Sequence, residues 1–107
     1  MCYARADHYP LANGHLLIIP HGHIADFFEL TEHEQKSALE LLSQARAKLD
    51  SKFHPDGYNI GVNVGEPAGQ TDMHVHIHLI PRYRGDIPDP KGGVRWIIPA
   101  KDRYWPD

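Results

Sequence analysis

His74-Val75-His76-Ile77-His78-Leu79-Ile80 alternates imidazole and aliphatic side chains along its length. In an extended chain, neighbouring side chains point to opposite faces, so His74, His76 and His78 share one face and Val75, Ile77 and Leu79 the other. The pattern predicts a β-strand over 74–80, ended by Pro81, with its apolar face on a core. Packing gives no reason to line up three histidines. If charged they repel one another, and if buried each needs a hydrogen-bond partner.

Upstream, Tyr58 to Val64 alternates as cleanly, with Tyr58, Ile60, Val62 and Val64 on one face and Asn59, Gly61 and Asn63 on the other. A turn at Glu66 to Gln70 makes the two strands an antiparallel hairpin, and its register can bring the Asn63 amide beside the histidines. Gly65, Gly69, Gln70 and Thr71 form a loop of small and polar residues, able to present backbone N–H groups as an anion nest. Further back, Thr31 and Glu34 form a capping box. Leu39, Leu42, Ala45, Leu49 and Phe53 follow at steps of three and four, one apolar stripe on a long helix stopped by Pro55-Asp56-Gly57. Ile24 to Leu30 reads as a single helical turn. His15-Leu16-Leu17-Ile18-Ile19, ended by Pro20, reads as a buried strand, and the residues before it as a polar start. Beyond the hairpin, 84–93 is a Pro/Gly-rich connection and Val94 to Ile98 a last short strand. This is an α+β layout, an antiparallel sheet covered on one face by one long helix.

The 107 residues allow one domain, 1–107, with room for one core. A formal charge of −3 argues against broad binding to a nucleic-acid backbone, which needs a basic stripe. No apolar run is long enough to span a membrane. The single cysteine, Cys2, excludes an intrachain disulfide and a thiolate metal site. The polar opening shows no signal-peptide pattern, which makes cytoplasmic the expected location. Nine histidines are the compositional outlier. At the level of residues three readings stand. The ladder is a solvated strand face, or a metal site with His23 as a further ligand, or a covalent centre where one imidazole attacks phosphorus and the others orient it and protonate the leaving group.

The segment 74–80 resembles the histidine triad (HIT) motif, in which three histidines alternate with apolar residues. Several separated stretches are also similar to that family: Asp7 to Pro20, Ile19-Pro20-His21-Gly22-His23-Ile24, Asn59 to Gly65, Ala68-Gly69-Gln70-Thr71, Pro81-Arg82 and Gly85-Asp86. The resemblance implies a HIT-like fold, dimeric with the two sheets continuous. It also implies a nucleotide-binding hydrolase or transferase that cleaves at the α-phosphate without a metal or other cofactor. By that resemblance His76 is the nucleophile, forming a nucleotidyl-histidine that water later hydrolyses. His78 contacts the phosphate and assists the leaving group, while His74 and His23 hold the imidazole network in its working tautomer. Asn63 and Gln70, with backbone N–H groups near Thr71 and Met73, bind phosphate oxygens, and Asp7 accepts a ribose hydroxyl.

Family members usually carry a further N-terminal stretch, expected to be absent here, so the base is held loosely or by a partner subunit. Asn13-Gly14-His15 stands where Pro-Gly-His is usual. Val75 in place of proline argues against the galactose-1-phosphate uridylyltransferase branch. Ala68 to Thr71 and the run from Pro81 to Asp86 resemble the fragile-histidine-triad and dinucleoside-polyphosphate hydrolase side, whereas His23 and Asp7 resemble the Hint phosphoramidase side. The expectation is therefore an enzyme acting on diadenosine polyphosphates or similar adenylyl compounds, with a non-catalytic nucleotide- or metal-binding module as the rival. His8, His15, His21, His33 and His54 are assigned structural or surface places. Arg82, Arg84 and Lys91 are read as a solvated rim, and Trp96 and Trp105 as core or dimer packing.

Overall fold

A computed structural model describes residues 1–105; of the domain expected over 1–107, residues 106–107 lie outside the described residues. The chain forms β1 (Cys2–Ala6), β2 (Leu16–Pro20), a long helix α1 (Glu32–Phe53), β3 (Gly57–Val62) and β4 (Ile77–Arg82). All pairings are antiparallel, in the order β1-β2-β4-β3, and α1 covers one face. No helix among the described residues is long and apolar enough to cross a membrane.

The helix starts where its signals say. Thr31 Oγ1 accepts from the Glu34 amide at 3.1 Å and Glu34 Oε1 accepts from the Thr31 amide at 3.0 Å, so two donors of the first turn are satisfied reciprocally. It ends at His54, which takes the left-handed conformation with φ 52°. Ile18, Ala38, Ala45, Leu49, Ile77 and Leu79 make the buried core, with Leu41, Leu42 and Phe53 packed at its margin. Leu39, expected on the buried stripe, is 66% exposed. The stripe starts instead at Ala38, whose small side chain lets the helix lie close to the sheet.

Four further expectations are corrected. First, Cys2–Ala6, read only as part of a polar start, is a strand. It pairs with β2 from Cys2↔Pro20 to Ala6↔Leu16, and its alternation of small residues with Tyr3 and Arg5 leaves little hydrophobic signal. Second, the histidine strand runs over 77–82, not 74–80. At Val75 the amide donates to Ile24 O at 2.7 Å, in the loop beyond β2, and the His74 amide donates to Asp72 Oδ1 at 2.9 Å, so the ladder of the sheet begins only at Ile77. Alternating burial nonetheless persists from His74 to Ile80. Third, Pro81 does not end the strand. On the β2 side pairing stops at Leu16↔Leu79, so no carbonyl there requires an N–H from position 81. Fourth, Val94–Ile98 is not a strand. Gly92 and Gly93 take φ of 95° and 48°, and i→i+3 bonds wind Gly93–Ile97 into a 3-10 helix with Val94 and Ile97 exposed.

The connection from β1 to β2 crosses the C-terminal half of α1 at one tight point. Gly14 has φ 89°, and a Cβ there would lie 2.8 Å from Leu49 Cδ2 and 3.0 Å from Phe53 Cδ2. Backbone and packing both demand glycine. Gly14→Ala is expected to destabilise the fold by about 1–3 kcal/mol, read as a lower melting temperature. An unchanged melting temperature would show that this crossing relaxes freely.

Candidate active site

The helix covers Leu16, Ile18, Ile77 and Leu79, so His78 lies on the opposite, open face of the sheet, beside Leu17 of β2 and Gly61 of β3 in the register. His76 follows on the same side, its ring edge-to-face with His78 at 5.1 Å between centroids. His74 sits at the end of the row, edge-to-face with His23 at 4.8 Å.

The hydrogen bonds of these rings assign their protons. A carbonyl only accepts, so His74 Nε2, 2.7 Å from Pro20 O, carries a proton, and so does His76 Nδ1, 3.2 Å from His74 O. In the neutral His76 ring the lone pair is therefore on Nε2. A second chain starts at Leu11, whose backbone N–H donates to His15 Nδ1 at 3.1 Å. That nitrogen must be bare, so His15 Nε2 is protonated and donates to His78 Nδ1 at 2.9 Å. His78 then keeps its proton on Nε2. One imidazole is thus set as a lone-pair donor and its neighbour as a hydrogen-bond donor.

Asp7 lies beside this chain. Its Oδ1 accepts from the Tyr9 amide at 2.9 Å, and its Oδ2 is 3.3 Å from His15 Nε2 and 3.8 Å from His78 Nδ1. The carboxylate is turned to the imidazoles, and its pKa lies below the ordinary value, chiefly through the Tyr9 amide with the histidines adding to it. Burial pushes the pKa of His15 down against the pull of Asp7. Burial lowers His78 too, helped by repulsion from His76 and His15 and opposed by Asp7. Asp7, His15 and His78 offer three ligand atoms within 4.8 Å of one another, the spacing of a cation site. A cation would, however, have to expel the His15 Nε2 proton, which the Leu11 N–H on the other nitrogen holds in place.

The lowered pKa values make stability pH-dependent with a definite sign. Between the ordinary imidazole value of about 6.5 and the lowered folded values, the unfolded chain binds more protons than the folded one. Stability from His15 and His78 is thus fully present above about pH 6.5 and is lost as pH falls through the folded values. Asp7, also lowered, adds a loss of the same sign at still lower pH. The melting temperature is expected to fall from pH 7 to pH 5, and the fall to shrink in His15→Phe. Equal slopes in both proteins would remove His15 from the cause.

The loop before the triad is built by Gln70, which is buried. Its Oε1 accepts from the Gly65 amide at 2.9 Å, and its Nε2 donates to Ala25 O at 2.8 Å and Asp72 O at 3.1 Å. Gln70 therefore clips the loop to the segment after β2 and has no hydrogen left for a phosphate, contrary to the expectation. Gly65 and Gly69, with φ of 89° and 95°, allow the tight turn between. Thr71 is exposed at its end, and the amides of Thr71 and Met73 find no acceptor among the described residues. Asn63 is exposed one residue past β3, where the register of Val62↔Ile77 continues towards His76. Arg82 is committed elsewhere, bidentate to Asp86 at 2.8 Å and bonded to Asn59 Oδ1 at 2.7 Å. It braces the sheet rather than forming a solvated rim.

The structure thus brings together His76, His78 and Asp7, keeps His74 and His23 as an adjoining pair, and adds His15, assigned above to a structural or surface place. His15 is 3% exposed and touches His78 directly. The signal for it lies in Asn13-Gly14-His15, the stretch that stands where Pro-Gly-His is usual.

The family model for the HIT domain matches residues 1–85. The chain belongs to the HIT family. Solved HIT structures share the four-stranded antiparallel sheet with one long helix. A HIT family protein from Bacillus anthracis superposes with a TM-score of 0.74 at 37% identity, covering 78% of this chain and 59% of that one. The chain is also similar to the AP-4-A phosphorylase of Mycobacterium tuberculosis, 31% identical over 80% of this chain and 45% of the relative. The asymmetrical bis(5'-nucleosyl)-tetraphosphatase of Schizosaccharomyces pombe is 33% identical over 73% of this chain and 43% of its own length. The chain spans about half the length of the curated HIT relatives it matches.

Proposed function

We propose that the chain is a nucleotide hydrolase that passes a nucleotidyl group first to His76 and then to water, with diadenosine polyphosphates or similar adenylyl compounds as substrates. The observation that carries it is the His76 Nδ1 contact with His74 O, which fixes the lone pair on Nε2. That nitrogen attacks the α-phosphorus as the bond to the leaving oxygen breaks, and the electron pair departs on that oxygen. His78 Nε2–H donates a hydrogen bond to it. Water then attacks phosphorus, the P–N bond breaks, its electron pair returns to His76 Nε2, and the water's proton goes to solvent. Asn63 and the amides of Thr71 and Met73 stabilise the charge on the non-bridging oxygens. His23 supports His74, and Gln70 acts by holding the loop. The same reading has a homodimer, for which the exposed Ile60 on the edge strand β3 and the small core are the support.

The relatives named as acting on AP-4-A and on nucleosyl tetraphosphates support this substrate class. So does the neutral character of the His15–His78 pair, since burial disfavours an imidazolium there. A phosphate leaves as an anion and needs only a hydrogen bond. An amine needs a full proton.

The test is AMP release from diadenosine tetraphosphate and from adenosine 5′-phosphoramidate between pH 5.5 and 8, with and without a chelator. The tetraphosphate is expected to be cleaved at every pH, with or without chelator, and phosphoramidate cleavage to rise as pH falls below about 6.5. AMP binding without release from either compound would replace the enzyme with a binding module. Loss of release under chelator would replace metal-free covalent chemistry with a metal centre.

A further inference from the structure

Gly61 sits within β3, directly across from His78. Folding gives no reason for a glycine there. Its φ is not positive, and a Cβ built on it meets no atom within 4 Å, in contrast to Gly14. Glycine inside a strand costs about 0.5–1 kcal/mol relative to alanine, and such a gap often marks where something approaches the backbone closely. Gly57, on the same face and paired with Arg82, is equally open. Between them stands Asn59, whose Oδ1 is held by Arg82 Nη1 at 2.7 Å.

The open face of β3 is therefore bare beside His78 at Gly61 and again beside Arg82 at Gly57, and a furrow along it passes over the Asn59 side chain that lies between them. Its rows lie about 7 Å apart, two residues of extended chain each, so it reaches about 14 Å from His78. It ends in a cavity of about 290 Å³ bounded by Gly57, Asn59, Gly93 and two ion pairs, Arg82–Asp86 and the looser Arg84–Asp56. There the Arg84 side chain is 91% exposed, its guanidinium Nε 4.0 Å from Asp56 Oδ1.

We propose that Gly61 keeps open the space beside His78 for the leaving group, and that the furrow it begins admits a long, phosphate-bearing one. The proposal rests on the reading of His76 as nucleophile and His78 as donor to the leaving oxygen. It makes Gly61 a specificity-determining residue. A nucleoside polyphosphate has the length to follow the furrow and the charge to end at Arg84, whereas a compact leaving group uses neither.

The test compares wild type with Gly61→Ala and Gly61→Val on diadenosine tetraphosphate and on adenosine 5′-phosphoramidate, whose leaving group is ammonia. Valine is expected to lower kcat/KM for the tetraphosphate about 10-fold or more, to leave the phosphoramidate within about 2-fold, and to keep or raise the melting temperature, since β-branched residues favour strands. Alanine should fall between. Equal losses on both compounds, or none, would overturn the proposal. So would a change of oligomeric state by light scattering, which would assign the gap to a protein contact. If wild type cleaves neither compound, the catalytic reading fails by itself, and calorimetric titration decides the furrow. Valine should then weaken diadenosine tetraphosphate about 10-fold while sparing AMP, and equal effects, or no binding of either by wild type, would sink it.

Discussion

Replacing His76 with alanine is expected to lower AMP release from diadenosine tetraphosphate by about four orders of magnitude or more. The size follows from what the side chain contributes. Without Nε2 there is no atom to form the P–N bond, and the reaction must revert to direct attack by water on a polyphosphate that carries one negative charge on each phosphate. The remaining groups, the Thr71 and Met73 amides, Asn63 and the His78 N–H, bind the ground state as before, so AMP affinity should change little. His76→Gln refines the result. Glutamine keeps polar bulk at the site but has no nucleophilic lone pair on nitrogen, so it should be as inactive as alanine. Acid quenching of wild type during turnover should trap label from the α-phosphate on the chain, and neither variant should retain any. More than about 1% of wild-type release by His76→Ala, with the same lack of trapped label, would mean that water attacks directly and that the histidines serve only to bind.

The row of histidines was readable because one physical rule governs it. The period of two across 74–80 places His76 and His78 on one face whether or not the backbone is paired, and the alternating burial survives even where the sheet bonds do not. The long helix was legible for a similar reason: a capping box and a repeating apolar stripe are local patterns. What escaped reading was decided by contacts between distant residues. The strand Cys2–Ala6 exists because β2 offers it an edge, and nothing in Tyr3, Ala4 and Arg5 announces that. Val94–Ile98 carries the composition of a strand, yet Gly92 and Gly93 turn the chain where no partner strand lies. Gln70 is a phosphate ligand by the family resemblance alone, and only Gly65 N, Ala25 O and Asp72 O show its amide engaged in holding the loop.

Of the histidines assigned structural or surface places, His15 is the one that is buried and bonded to the triad. A histidine alone in a loop, eight residues from Asp7 and 63 from His78, gives no periodic signal. Its role appears only when the β1–β2 connection folds it under β4. There it is not a surface residue, and it links the Leu11 backbone amide to the His78 ring. His23, expected to hold the imidazole network together with His74, meets the His74 ring edge-to-face.

His15→Phe is therefore expected to lower kcat for diadenosine tetraphosphate by about 10²-fold, with a much smaller change in KM. Phenylalanine fills the buried volume but removes both nitrogens. The Leu11 N–H loses its acceptor, and His78 Nδ1 loses the donor that kept it bare. His78 is then free to place its proton on Nδ1, facing Asp7, where it no longer meets the leaving oxygen. The defect is one of tautomer, so it has a signature that a merely loosened fold lacks. In wild type, nitrogen NMR should find the His78 proton on Nε2, and in His15→Phe a mixture of both tautomers. His15→Gln separates the two halves of the chain. Its side-chain N–H reaches towards His78 Nδ1 as the imidazole does, while Leu11 stays without an acceptor. Glutamine should thus recover much of kcat but not the stability lost by leaving the amide unpaired, about 1–3 kcal/mol. If phenylalanine leaves kcat within about 2-fold and His78 in the same tautomer, the proton chain from Leu11 does not set the donor. Asp7 alone would then have to orient that ring. Recovery of kcat by glutamine without recovery of stability would instead assign His15 its two separate duties, one to the fold through Leu11 and one to the reaction through His78.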